Sequence, residues 1–479
     1  MTNGDMLNLL FAFENKLNGF ILSLLQGWVL PKIPPWARTV AIIAAVLFLS
    51  VVLPLMASWN QLLLLLALIP VAGAGLALIQ LPPLGLIGLI ITALIVPSPS
   101  LPGGFNFAVL LLIALIGLWL LEMIVVQRKL ELLPSRTVWP LLALIFVATL
   151  SFGVGQIPWF TFARAAPLDA QIGGLFIFIL APGAFLLTAH LIRELRWLEW
   201  LTWVFLALGG LFVAGWVTPG LGSITGRLFQ LGATSNSMFW TWLVALAFSQ
   251  ALFNGKLHPG WRAALGGLVV LTLYVAYVLN NGWKSGYLPP MVSIAVIIGV
   301  RSWRLGLLMA VMGILPAMFL SSEAVATEDY SYGTRLDAWI IILEMVKTNP
   351  LLGFGPANYY WYTPLFPIRG WAVRFNSHNQ YLDIIAQTGI LGLACVVWFA
   401  WEVGWLGWQL KDRVPSGFAQ AYVYGALGGL VGMLASGILV DWFLPFVYNI
   451  GLSGFRGSML AWIFLGGLMS LEQMYRREA

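Results

Sequence analysis

The chain is 479 residues long, 60% hydrophobic and only 9% charged, with a mean hydropathy of +0.91. Soluble domains carry about 25% charged residues, so this composition excludes a water-facing globule and implies a polytopic membrane protein. The formal charge of +6 is not read as a nucleic-acid signal, because Lys and Arg in such chains first report topology, and the single cysteine, Cys395, excludes an intramolecular disulfide or a thiolate metal cluster.

A stretch of about 20 apolar residues spans the hydrocarbon core. In chain order, residues 1–39 form an N-terminus whose segment 6–30 mixes Leu and Phe with Glu14 and Lys16, the pattern of an interfacial amphipathic helix. Fourteen spans follow, some short: 40–56, 62–80, 84–96, 105–126, 138–155, 172–192, 198–217, 238–254, 263–281, 287–300, 305–320, 380–408, 419–440 and 454–470. The 84–96 segment follows Pro82-Pro83 and can instead be re-entrant, so the expected total is 12–14. The predicted divisions are 1–39, N-terminal spans over 40–217, spans with cation-bearing outer loops over 218–320, one long loop over 321–379, and C-terminal spans with a short tail over 380–479. With both termini cytoplasmic, 16 of the 24 Lys and Arg residues fall inside, as the excess of cytoplasmic cations requires. Eight lie outside: Arg164, Arg227, Lys284, Arg335, Lys347, Arg369, Arg374 and Arg456.

Only the connection 321–379 is long, and long loops tend to carry function. Thr334 followed by Asp337 forms a weak capping pattern, and Leu336, Trp339, Ile340, Leu343 and Val346 recur at helical spacing, which predicts an amphipathic helix over 335–347. Asn349-Pro350 ends it, and Gly353, Gly355 and Pro356 impose turns. The aromatic run Tyr359-Tyr-Trp-Tyr362 reads as an interfacial belt or as a stacking surface for sugar rings. Of the three histidines, His190, His258 and His378, only His378 falls on the outer side. Mostly neutral near pH 7, it is the best general-base candidate there. Arg227 and Lys284 stand at span mouths, where a charge is costly unless paired or wetted, and a diphosphate would suit both.

These features resemble the O-antigen ligase and polymerase superfamily of membrane glycosyltransferases. The resemblance rests on Arg335-x-x-x-Trp339, Pro350-Leu-Leu-Gly-Phe-Gly-Pro-Ala-Asn358, Ser377-His-Asn-Gln-Tyr-Leu-Asp383 and Gln387-Thr-Gly-Ile-Leu-Gly392. Upstream, Gly226-Arg227 to Asn236 and Lys284-Ser-Gly286 are similar to the family's Arg-containing motifs, so the likeness covers roughly residues 220–395. Two positions depart from the pattern: Lys284 stands where Arg is usual, and Gln387 where Glu is common.

The resemblance implies an all-α fold related to the GT-C class and a bacterial inner (cytoplasmic) membrane location with the site on the periplasmic face. It also implies transfer of a glycan from an undecaprenyl-pyrophosphate carrier to a lipid or glycan acceptor. His378 would be the base, with Arg227, Lys284 and Arg335 on the pyrophosphate, joined by Arg374 and Asn236. Asn379, Asn358, Tyr359, Trp339 and Asp383 would shape the loop or meet the acceptor. The carrier's tail would enter by an apolar groove near the amphipathic helix. No His pair stands at ligand spacing, and neither a cofactor nor a metal is expected. The expected partners are the carrier-linked donor, the acceptor and membrane lipids, with no nucleic acid. A repeat-unit polymerase of the same superfamily is one alternative reading, and a transporter of bicarbonate or another small anion is a second. A structural membrane protein is a third, although the cation-rich loop would then have no purpose.

Overall fold

The computed structural model describes residues 81–97, 104–280, 284–309, 311 and 329–476. The predicted amphipathic N-terminus, the spans 40–56 and 62–80, and most of 305–320 lie outside them. The chain divides into two compact units, residues 1–85 with 117–131, and residues 86–116 with 132–479. Within the described part of the first, a π-helical turn spans Glu122–Val126, and Lys129 pairs with Glu131 at 2.8 Å.

All named elements among the described residues are helices: α1 Pro82–Leu94, α2 Phe107–Leu121, α3 Val138–Val154, α4 Leu168–Leu191 and α5 Leu195–Val217. Then come α6 Pro219–Leu228, α7 Leu231–Thr234, α8 Ser237–Phe253, α9 Pro259–Tyr274 and α10 Lys284–Arg301. The last are α11 Asp329–Val346, α12 Tyr359–Tyr362, α13 Gln380–Leu410, α14 Phe418–Leu439 and α15 Gly451–Arg476. Among the described residues, seven helices are long and apolar enough to cross a membrane, and four shorter apolar ones join them. These eleven coincide with the predicted spans from 84–96 to 287–300 and with the last three. The protein is an integral membrane protein of the all-α class.

Burial sorts the second unit. The apolar stretch of α15 is 94% enclosed by protein and that of α9 only 22%, so α15 is a central helix and α9 a peripheral one. Helices in lipid gain little from apolar burial against one another and associate instead by close packing at small residues. Accordingly α15 runs against α4, and α14 against α8 and α10, with Gly425, Gly428, Gly429 and Gly432 of α14 directly under side chains of its neighbours. Arg456, buried in α15, donates to the carbonyls of Ala93 at 2.7 Å, Thr92 at 2.7 Å and Val96 at 2.8 Å, carbonyls that the end of α1 leaves without intrahelical donors.

Three local expectations are corrected. The stretch 218–236, read as a short loop, folds into α6 and α7, because Pro219 suits a first helical turn and the Asn236 side chain caps α8. The helix of the long loop already includes Asp329, ahead of the expected entry beside Thr334. Gly333 is thereby inside α11, where a Cβ would lie 2.2 Å from Nη2 of Arg369, so tertiary packing overrides the local capping signal. Thirdly, Leu336, Ile340 and Leu343 face outward, while Ala338, Ile342, Met345 and Val346 are buried. Both sets follow helical spacing, so α11 has two apolar faces rather than one.

Candidate active site

The segment between α11 and α13 is held by an aromatic core. Ile342, Met345 and Val346 of α11 pack with Phe354, Tyr359, Tyr362, Ala386 and Phe446, and the 159–163 loop adds Trp159 and Phe160. Phe160 meets Phe354 at 5.6 Å, Tyr362 at 5.1 Å and Phe366 at 5.6 Å between ring centres, tilted and edge-on geometries that aromatic pairs favour.

On this core sits a pocket of about 510 Å3 lined by Thr334, Arg335, Ala338, Tyr360, Ile368, Arg374, Phe375, Asn376, His378, Tyr448 and Asn449. Arg335 and Trp339 are one turn apart on α11, and Trp339 Nε1 donates to the Ser377 carbonyl at 2.8 Å. That bond fixes the helix beside the residue preceding His378, which explains the Arg-x-x-x-Trp spacing. His378 has a positive φ of 47°, an uncommon conformation for a residue with a side chain, and its neighbours hold it there. The Ser377 hydroxyl lies 2.8 Å from Asp383 Oδ1 and 2.7 Å from the Asn379 carbonyl, and Ser377 N donates to the Tyr359 hydroxyl at 3.4 Å. Asn379 caps α13, accepting from Tyr381 N at 3.0 Å and Leu382 N at 3.3 Å. Tyr359 donates to Asp383 Oδ1, and burial together with that carboxylate pushes its phenol well above the usual value, keeping it a donor. Burial, and then the Arg335 guanidinium, push His378 below the ordinary histidine value. The imidazole is therefore neutral at pH 7 and able to take a proton.

Other predicted residues lie elsewhere. Arg227 is exposed in the last turn of α6 and does not line this pocket; Lys284 falls within α10. Asn236 is buried, its amide committed to Met238 N, Ser458 Oγ and the carbonyls of Gly454 and Trp442. Asn358 is also buried and bridges Ala166 N to the carbonyls of Gly155 and Phe354, a loop-shaping part. The other histidines are local fasteners: Leu133 N donates to His190 Nε2 at 3.1 Å, and Gly260 N to His258 Nδ1 at 3.1 Å. Tyr448 and Asn449, which the sequence reading missed, come from the 440–450 connection, where Asp441 accepts from Phe446 N and Asn449 Nδ2. Burial pushes the Asp441 carboxyl up to about 6, opposed by those two donors.

Residues 243–397 match the family model described as O-antigen ligase. That stretch of the chain is similar to the O-antigen ligase family. No curated protein matches the chain. The domain match includes Lys284, Arg335, Arg374 and His378 and ends before Tyr448 and Asn449.

Inside the matched region, the two glycine motifs fit into each other. α13 breaks at Gly389, with φ 67° and ψ −170°, freeing backbone groups on both sides of the break. Phe354 N donates to Ala386 O at 2.9 Å and Gly355 N to Gln387 O at 3.0 Å; in return Ile390 N donates to Pro350 O at 2.8 Å and Leu391 N to Leu351 O at 3.3 Å. The Pro350-to-Gly355 turn thus replaces the lost helical ladder, satisfying groups that would be costly to leave unpaired. Gln387 has a defined part in this joint: its Oε1 accepts from Ala357 N at 3.2 Å and its Nε2 donates to Asp383 O at 3.1 Å. A carboxylate would keep the first bond and lose the second.

Proposed function

We propose that the protein is a metal-independent, inverting glycosyltransferase of the bacterial inner membrane. It would move a glycan from undecaprenyl pyrophosphate to an acceptor hydroxyl on the periplasmic side. The observation that carries this reading is the meeting of a neutral histidine, His378, with two guanidinium-bearing residues, Arg335 and Arg374, in one pocket. His378 takes the proton from the acceptor hydroxyl as its oxygen attacks the anomeric carbon. The bond from that carbon to the pyrophosphate oxygen breaks, and its electron pair leaves with the pyrophosphate. Charge grows on the leaving group, so cations fixed in advance stabilise the transition state more than the ground state. Arg335 and Arg374 fill that part here, and the family resemblance adds Arg227 and Lys284. Base catalysis by a positioned histidine contributes typically about 10²–10⁴-fold.

The acceptor can be a lipid-linked core glycan, as in a ligase, or another carrier-linked repeat unit, as in a polymerase; the same chemistry serves both. The test is release of undecaprenyl pyrophosphate from a lipid-linked oligosaccharide by the purified protein in nanodiscs, with chelator present and His378→Ala alongside. Release by the wild type alone supports the reading, and equal release by the variant refutes the base assignment. Retention at the new linkage, read by NMR, would refute single displacement.

A further inference from the structure

The proposed chemistry uses the cations and His378 but leaves one part of the same pocket without a task. Tyr360 and Tyr448 both line it and stack on each other, with ring centres 4.7 Å apart and planes 18° from parallel. Trp361 Nε1 donates to the Tyr448 hydroxyl at 2.7 Å, and the Arg374 guanidinium lies 3.5 Å from the centre of the Trp361 ring. An unbroken chain of contacts therefore joins the tyrosine pair to a pocket cation, so the rings and the charge are fixed relative to one another. Beside the rings stand the amides of Asn376 and Asn449. The volume of about 510 Å3 falls in the range of roughly 300–1,000 Å3 typical of pockets for ligands much larger than a diphosphate.

We infer that Tyr360, Tyr448 and Asn449 form a subsite for a pyranose ring adjacent to the pyrophosphate. The chemistry fits. A sugar presents an apolar face of C–H groups and a rim of hydroxyls, and tyrosine offers an apolar ring with a polar tip and few rotamers to freeze, while amides both donate and accept. Tyr448 and Asn449 lie beyond the part of the chain that matches the family model, so the subsite draws on residues outside the matched region. The inference rests on the carrier-lipid reading of that pocket, and the ring can belong to the donor or to the acceptor.

The test uses the full chain in nanodiscs as wild type, Tyr448→Ala and Tyr448→Phe. Affinity is measured for undecaprenyl pyrophosphate, for the same lipid bearing one N-acetylglucosamine, and, with the sugar-free lipid bound, for the free disaccharide of N-acetylglucosamine. Tyr448→Ala should weaken one sugar-dependent arm about three- to tenfold more than it weakens sugar-free lipid binding, the effect of one lost aromatic contact. Tyr448→Phe, which keeps the stack on Tyr360, should lose less. A response in the lipid-linked arm assigns the ring to the donor, and one in the disaccharide arm to the acceptor. If neither arm responds, or sugar-free lipid weakens equally, the subsite is refuted. Failure of the wild type to bind undecaprenyl pyrophosphate refutes the carrier reading and the subsite with it.

Discussion

Replacing Gly389 by alanine tests whether the joint between the two glycine motifs organises the site. At φ 67° and ψ −170° the position lies in a region essentially restricted to glycine, where a side chain costs about 1–3 kcal/mol. The added Cβ would stand 2.1 Å from Leu351 O, 2.2 Å from Leu351 C and 2.5 Å from Leu352 N, all backbone atoms with no rotamer to relieve the clash. The turn must move, and losing two of its four backbone bonds to α13 would add about 1–3 kcal/mol at about 0.5–1.5 kcal/mol each. The combined destabilisation is about 2–6 kcal/mol. At about 2.1 cal/mol/K of unfolding entropy per residue, each kcal/mol lowers the midpoint of a chain of 479 residues by about 1 °C, so thermal unfolding in nanodiscs should show a drop of roughly 2–6 °C. Transfer should fall with it, because the displaced turn runs directly into Tyr359, the donor to Asp383. Gly404→Ala in the same helix is the control: its Cβ would meet only Leu430 Cδ2 at an ordinary 3.6 Å. A Gly389→Ala midpoint within a degree of both wild type and control would refute the reasoning.

Three further outcomes are expected. Because burial and Arg335 depress His378, its neutral form persists below its ordinary value of about 6.5; the acid limb of kcat/KM should therefore lie below pH 6.5, falling as pH drops through the folded pKa, which a limb at or above 6.5 would contradict. Arg335→Ala should weaken donor binding by tenfold or more and move that acid limb upward, since the guanidinium that disfavours the imidazolium is gone; unchanged affinity measured with the sugar-free carrier lipid would remove Arg335 from the pyrophosphate. Gln387→Glu should destabilise by about 1–3 kcal/mol through the lost bond to the Asp383 carbonyl, and an unshifted thermal midpoint would show that this bond is not needed.

Much of the fold was legible because membrane spans are written locally. An apolar stretch of span length must satisfy its backbone internally, and 138–155 and 419–440 became α3 and α14 with few residues of error. The start of α11 was misread because Thr334 and Asp337 give a capping pattern within four residues, whereas the packing of Gly333 against Arg369 spans more than thirty. Outward and inward faces of α11 were equally indistinct, since apolar residues occupy both and only the neighbours decide which stripe is enclosed.

By itself the sequence determined the membrane class and the order of the described spans, both a matter of composition and local patterning. The tertiary structure decided which residues share a pocket. It brought Tyr448 and Asn449 to His378 from 70 and 71 positions away, gave the Asn236 amide a structural task, and turned the Gly353 and Gly389 motifs into one joint. Periodicity carries a helix because its hydrogen bonds run four residues along the chain. A pocket is closed by contacts whose sequence separation no local pattern records.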